Sequence, residues 1–119
     1  MGIDMGIDVT QTELDAAGRV LHEGVPVTGE VVSRSPEGRV IARIRYLQGL
    51  EDGPSLEWYP DGSRRAEGSS RYGVGAVGVW RGWHPCGAPA AEYGFSDNGR
   101  LLFVRRWDQA GVMLEDKTY

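Results

Sequence analysis

The residue types best suited to chemistry are scarce in this chain: two histidines, His22 and His84, and a single cysteine, Cys86. His84-Pro85-Cys86 puts two potential metal ligands, or a nucleophile and its base, within one turn. A structural zinc site needs four ligands, usually from paired Cys/His motifs, and no second cysteine exists to supply them. A reactive thiolate needs a positioned base; His84 is the candidate, and a two-residue separation around a proline does not set its orientation. Glu67 and Glu92 stand 25 residues apart. Two carboxylates within about 10 Å can share acid–base work. Repeat-equivalent glutamates paired with cross-strand arginines such as Arg64, Arg65 or Arg71 account for the same spacing more simply. Gly73-Val74-Gly75-Ala76-Val77-Gly78 matches G-x-G-x-x-G, but no helical pattern follows it, so a dinucleotide site is not expected. Arg100, Arg105 and Arg106 near Phe103 and Trp107 combine charge with stacking surface, as single-strand nucleic-acid binders do. A net charge of −4 with Lys117 as the sole lysine argues against that partner. The expectation is no metal, no cofactor and no catalytic residue. The alternative is a small enzyme or biosynthetic accessory protein using His84, Cys86, Glu67 or Glu92.

Such side chains need elements to position them, and the composition bounds these. The chain has 119 residues, enough for one small domain. Glycine contributes 18 residues and proline only 6, without a Gly-X-Y period, so collagen is excluded. Four Trp, five Tyr and two Phe are too many for a disordered glycine-rich linker. No apolar run is long enough to span a membrane as a helix, and Met1-Gly2-Ile3-Asp4 lacks the apolar stretch of a secretory signal. With one cysteine and no disulfide, the chain reads as cytoplasmic, with no membrane contact expected. Charge is unevenly spread: residues 1–61 carry 11 acids and 5 arginines, and residues 62–119 carry 6 acids and 8 basic residues. An acidic first half of this kind steers a basic partner.

The glycines punctuate a repeat. Asp15-Ala16-Ala17-Gly18, Ser35-Pro36-Glu37-Gly38, Tyr59-Pro60-Asp61-Gly62, His84-Pro85-Cys86-Gly87 and Asp108-Gln109-Ala110-Gly111 end on glycines spaced 20, 24, 25 and 24 residues apart. Gly24, Gly49, Gly75 and Gly99 interleave with them at 25, 26 and 24. Proline sets the first corner, Asp or Glu follows, and glycine takes the positive-φ position closing a hairpin loop. A turn about every 12 residues leaves room for strands of about 7–9 residues and not for helices. The strands are expected at 19–22, 25–33, 39–46, 54–59, 63–72, 77–84, 88–95, 100–107 and 112–115. Val40, Ala42, Ile44 and Tyr46 alternate with Arg39, Ile41, Arg43 and Arg45, as a half-buried strand does. The predicted fold is all-β: one open, twisted antiparallel meander of successive hairpins over 14–115, with tails at 1–13 and 116–119.

The repeat also brings aromatics into register. Trp58, Trp83 and Trp107 each stand four residues before a turn glycine, with Arg34 at the equivalent place in the first unit. Equivalent strands of a meander are two apart, about 9.6 Å. The indoles therefore form a stripe with a side chain of the intervening strand between each pair. Such a stripe is a ladder holding the sheet together or an exposed strip that anchors a partner, where Trp, Tyr and Arg dominate binding.

The segment Gly53-Pro54-Ser55-Leu56-Glu57-Trp58-Tyr59-Pro60-Asp61-Gly62, followed by Glu67 and Tyr72-Gly73-Val74-Gly75, resembles the bacterial variant of the MORN repeat found in YwqK-type antitoxins. Gly78-Val79-Trp80-Arg81-Gly82-Trp83-His84-Pro85-Cys86-Gly87 with Glu92 forms a second matching unit. Val25–Val31 is similar to a degenerate opening unit. The resemblance covers about residues 14–115. It departs from the pattern at Arg34, at Arg43 where later units have Glu67 and Glu92, and at Pro85 and Cys86. It implies an open hairpin sheet and a non-catalytic protein-binding module that neutralises a toxin-like partner. A structural or membrane-surface scaffold is a further alternative, since the same repeat occurs in such proteins. The residues expected to contact the partner are Trp58, Tyr72, Arg81, Trp83, Arg105 and Trp107. Exposed sheet edges also open a route to homodimerisation.

Overall fold

The computed structural model describes residues 6–119. The elements are β1 (Ile7–Asp8), a 3-10 turn (Val9–Gln11), β2 (Thr12–Leu14), β3 (Val20–His22), β4 (Val25–Pro26), β5 (Gly29–Arg34), β6 (Val40–Leu47), β7 (Leu50–Trp58), β8 (Arg64–Arg71), β9 (Gly75–Trp83), β10 (Pro89–Phe95), β11 (Leu101–Trp107) and β12 (Met113–Thr118). A nine-stranded sheet runs β1-β5-β6-β7-β8-β9-β10-β11-β12, and β2-β3-β4 form a separate three-stranded sheet. From β5 to β12 the chain is an uninterrupted antiparallel meander, as the turn spacing predicts.

The turns explain the regularity. In six loops, beginning at Asp15, Ser35, Tyr59, His84, Ser96 and Asp108, the first residue's N–H donates to the carbonyl four residues on. The glycine N–H donates back to the first residue's carbonyl. Those six glycines all have φ between +81° and +93°, a conformation costly for any residue with a Cβ. Ser96-Asp97-Asn98-Gly99 therefore uses the four-residue turn, although its glycine was grouped by spacing with Gly24 and Gly49. Those two close tighter turns in which Glu23 (φ 52°) and Gln48 (φ 49°) also adopt positive φ. Five of the hairpins carry an extra residue just past the turn: Ile41, Arg65, Ala90, Leu102 and Leu114. The unit is thus strand, four-residue turn and bulge, and the bulge adds twist.

The structure departs from expectation in three places. Residues 1–5 of the expected 1–13 tail lie outside the described residues, but the rest is built in. Ile7 and Asp8 pair in parallel with Val31 and Val32. Asp8 accepts from the Thr10 N–H (3.0 Å) and hydroxyl (2.7 Å), which hold its carboxyl below the usual range. Strands of two or three residues are too short to show alternation in a sequence. The expected 116–119 tail is paired as well: β12 continues to Thr118, and the Tyr119 N–H donates to the Leu102 carbonyl at 2.8 Å. The expected strand 25–33 is broken at Val27-Thr28, where the chain leaves the small sheet for the large one. Val27 donates to Val20 and accepts from Gly49 there, linking the two sheets.

Among the described residues the buried hydrophobic side chains are Val27, Val31, Val32 and Val104, of which only Val32 is fully buried. A single-layer sheet has nothing to pack against over most of its area, so cohesion must come from within each face. On one face, cross-strand register aligns Val32, Arg43, Leu56, Glu67, Arg81, Glu92, Arg105 and Asp116. On the other, it aligns Val31, Ile44, Ser55, Gly68, Trp80, Tyr93, Val104 and Lys117. These are the charged and the apolar face.

Candidate functional site

On the charged face the last five residues of the row alternate in sign. Arg81 and Arg105 both reach Glu92 at 3.5 Å, Arg105 reaches Asp116 at 3.6 Å, and Glu67 pairs with Arg64 at 2.7 Å. Glu67 pairs with Arg64 within β8 itself and not across strands as expected, whereas Glu92 is held by Arg81 and Arg105 from the strands flanking it. Glu67 and Glu92 are separated in the row by Arg81, so this is an ion ladder and not an acid–base pair. Each pair is half-exposed and contributes only a few tenths of a kcal/mol to about 1 kcal/mol.

One row nearer the turns lies the tryptophan stripe, on the same face. Trp58 is opposite Arg64, Trp83 opposite Pro89 and Trp107 opposite Met113, so intervening side chains do separate the indoles. The Arg64 guanidinium lies 5.7 Å from the Trp83 ring centroid. Within the ladder, Arg105 stacks 4.5 Å from the Phe103 ring. The turns at this end are laced together through the tryptophan backbones. The Tyr59 hydroxyl donates to the Trp83 carbonyl at 2.6 Å, and His84 Nε2 lies 2.8 Å from the Trp107 carbonyl. A carbonyl only accepts, so His84 carries its proton on Nε2 and acts as a strap between units. Where the first turn position is a short polar residue, it closes its own loop instead: Asp108 Oδ1 accepts from Ala110 and Val112 at 2.9 Å. Cys86 is exposed at the tip of its turn. Among the described residues no group of three His, Cys, Asp or Glu is placed to hold a metal ion.

Of the six residues singled out from the sequence, Trp58, Trp83, Trp107, Arg81 and Arg105 thus share one face. Tyr72 lies apart, in the β8–β9 turn at the other end. Its N–H donates to Asp52 Oδ1 at 2.8 Å, and its hydroxyl meets the Arg19 guanidinium at 3.4 Å.

The apolar face carries a groove of about 650 Å³ between the small sheet and strands β6–β9. Leu14 and Val20 form one wall, Tyr46 and Trp80 the other, with Glu51 and Ser70 between them. It continues into a depression of about 300 Å³ bounded by Trp80, Tyr93 and Phe95. The small sheet is held over the large one by the Val20 N–H to Gly49 carbonyl bond at 2.9 Å. Gly49 is obligatory there: a Cβ would stand 2.8 Å from that of Arg19. The Trp80 indole lies across Gly68, on whose face it fits because there is no Cβ, and its Nε1–H donates to the Ser69 carbonyl at 2.9 Å. Phe103 covers Gly94 in the same way on the charged face.

Two charged residues line the groove, Glu51 and Arg71, and the Arg71 guanidinium donates to the Asp97 carbonyl at 3.1 Å. The Glu51 carboxylate accepts from the Ser70 hydroxyl at 3.4 Å, and no ion pair among the described residues includes it. Burial pushes the Tyr46 phenol above its ordinary pKa, and the Glu51 charge adds to the shift. Aromatic walls around an exposed carboxylate form a surface that attracts a cationic side chain. None of Tyr46, Glu51, Tyr93 or Phe95 was singled out as a site residue from the sequence. The signal was the alternation of Ala91, Tyr93 and Phe95 with Glu92 and Gly94, which assigns the aromatics to one face.

No family model matches the chain, and no curated protein matches it. Among solved structures it is similar to a chain in the crystal structure of the GtfA/B complex bound to UDP and GlcNAc. That similarity has 17% identity and a TM-score of 0.39, covering 88% of this chain and 23% of the other. At that level it carries no functional argument.

Proposed function

We propose that the chain is a non-catalytic protein-binding module of the MORN-variant type, an antitoxin- or immunity-like binder that recognises a basic partner in the bacterial cytoplasm. The observation that carries this reading is the groove on the apolar face, where Tyr46 and Trp80 flank Glu51, a carboxylate outside every ion pair among the described residues. A lysine or arginine of the partner entering the groove gains a carboxylate and aromatic faces together, in a partly desolvated setting. The acidic excess of residues 1–61 supports the same partner chemistry by steering it. The half-exposed tryptophan stripe, with Arg81 and Arg105, offers a second contact strip on the opposite face.

The test is growth rescue. Each neighbouring reading frame whose product alone arrests growth is co-expressed with this chain, as wild type and as Glu51→Lys. Rescue by wild type that Glu51→Lys loses, with the variant retaining the wild-type circular dichroism spectrum, supports the proposal. Absence of rescue against every such product overturns the antitoxin role, and rescue indifferent to Glu51→Lys overturns the groove as the contact.

A further inference from the structure

The two edges of the large sheet differ. At one, β1 lies on β5, pairing with Val31 and Val32. At the other lies β12; both terminal strands have a neighbour on one side only, but β1 is two residues long and β12 six. Four of the exposed large hydrophobics, Val112, Met113, Leu114 and Tyr119, fall in or beside this strand. We propose that β12 is a self-association edge that pairs antiparallel with β12 of a second copy, giving a closed two-fold dimer with a continuous sheet. Pairing of the same edge of two copies across a two-fold axis is isologous, so it closes at that edge instead of growing into a fibre.

Backbone direction and charge select the register. The Tyr119 N–H points inward, to the Leu102 carbonyl. Residues 115, 117 and 119 therefore face β11, while the peptide groups of Asp116 and Thr118 face outward. A symmetric antiparallel pair with outward groups meeting has three central registers. Centring on residue 115 sets Glu115 against Glu115, and centring on 117 sets Lys117 against Lys117. Centring on Asp116 sets each Glu115 opposite the other copy's Lys117, twice over, in the closely spaced non-hydrogen-bonded pairs. The two Asp116 carboxylates that meet at the dyad are each already paired with their own Arg105, at 3.6 Å. Glu115, 3.7 Å from Arg106, would then lie between two cations. Charges on an edge strand ordinarily deter pairing; these deter two registers and favour the third.

Sedimentation velocity of the purified chain over a concentration series tests the proposal without any other partner. The wild type is expected to show a concentration-dependent monomer–dimer equilibrium. Lys117→Glu sets Glu against Glu at both flanking pairs and should weaken dimerisation by at least about tenfold. Glu115→Lys combined with Lys117→Glu exchanges the charges and should restore it. Asp116→Pro removes an outward N–H and the exposed Asp116–Arg105 ion pair but no backbone bond to β11, so it should abolish the dimer while leaving β12 on β11, with the monomer's circular dichroism spectrum unchanged. A wild type that stays monomeric throughout overturns the proposal. So does a dimer that survives Asp116→Pro, or one that Lys117→Glu weakens and the exchanged pair does not rescue.

Discussion

Replacing Gly68 by alanine should be costly because of one side chain, Trp80. The added Cβ would stand 2.0 Å from Trp80 Cδ2, so the indole must leave its seat. Overpacking of this kind costs roughly 1–3 kcal/mol. The indole N–H bond to the Ser69 carbonyl goes with it, worth about 1 kcal/mol. Against this, alanine lowers the entropy of the unfolded chain, worth roughly 0.5–1 kcal/mol. The net loss is about 1–3.5 kcal/mol, or a fall of roughly 4–14 °C in Tm for a domain of this size. Urea denaturation of wild type, Gly68→Ala, Trp80→Ala and the double variant closes a thermodynamic cycle. In the Trp80→Ala background, Gly68→Ala should be neutral or slightly stabilising, a coupling of about 2 kcal/mol. Gly82→Ala is the control, since nothing lies nearer than 3.6 Å to its added Cβ, and it should cost under about 0.5 kcal/mol. An equal loss from Gly68→Ala with and without Trp80 would refute the reasoning, as would a Gly82→Ala loss of the same size.

Three further outcomes follow from the geometry. Tyr59→Phe removes the bond to the Trp83 carbonyl and should cost about 1 kcal/mol in urea denaturation, with Tyr72→Phe, at an exposed turn, costing less. The Tyr46 phenol, raised by burial and by Glu51, contributes stability that is present below the unfolded tyrosine pKa and is lost as pH rises through the folded value. Glu51→Gln should therefore bring the Tyr46 titration closer to its ordinary value, read by ultraviolet absorbance against a Tyr46→Phe blank. Glu92→Gln should cost less than about 1 kcal/mol at low salt, and the difference should shrink in 1 M NaCl, where exposed pairs are screened.

Much of the sheet was legible because its information is local. Pro, Asp and Gly in Tyr59-Pro60-Asp61-Gly62 encode a turn from their own backbone preferences, and recurrence of the turn encodes a meander. The tryptophan stripe was legible for the same reason: Trp58, Trp83 and Trp107 hold equal offsets from equal turns. Ile7-Asp8 and Thr12–Leu14 were not legible. Ile7 and Asp8 are held by Val31 and Val32, far along the chain, Thr12–Leu14 pair only with the three residues Val20–His22, and no local preference marks so short a strand. The groove residues were missed on related grounds. Tyr46 and Trp80 come from β6 and β9, and their shared groove depends on the small sheet docking at Gly49.

Sequence alone determined that this protein is a run of hairpins, where each turns, and which residues alternate along each strand, because turn chemistry and a two-residue period act within a few bonds. Tertiary structure decided which face is charged and which apolar, that Arg81 and Arg105 hold Glu92 between them, and that His84 straps one unit to the next. It also placed β12 at an edge of the sheet. Each of these depends on register, and register is set where strands meet: a bulge such as Arg65 or Ala90 shifts the pairing of everything beyond it by one residue.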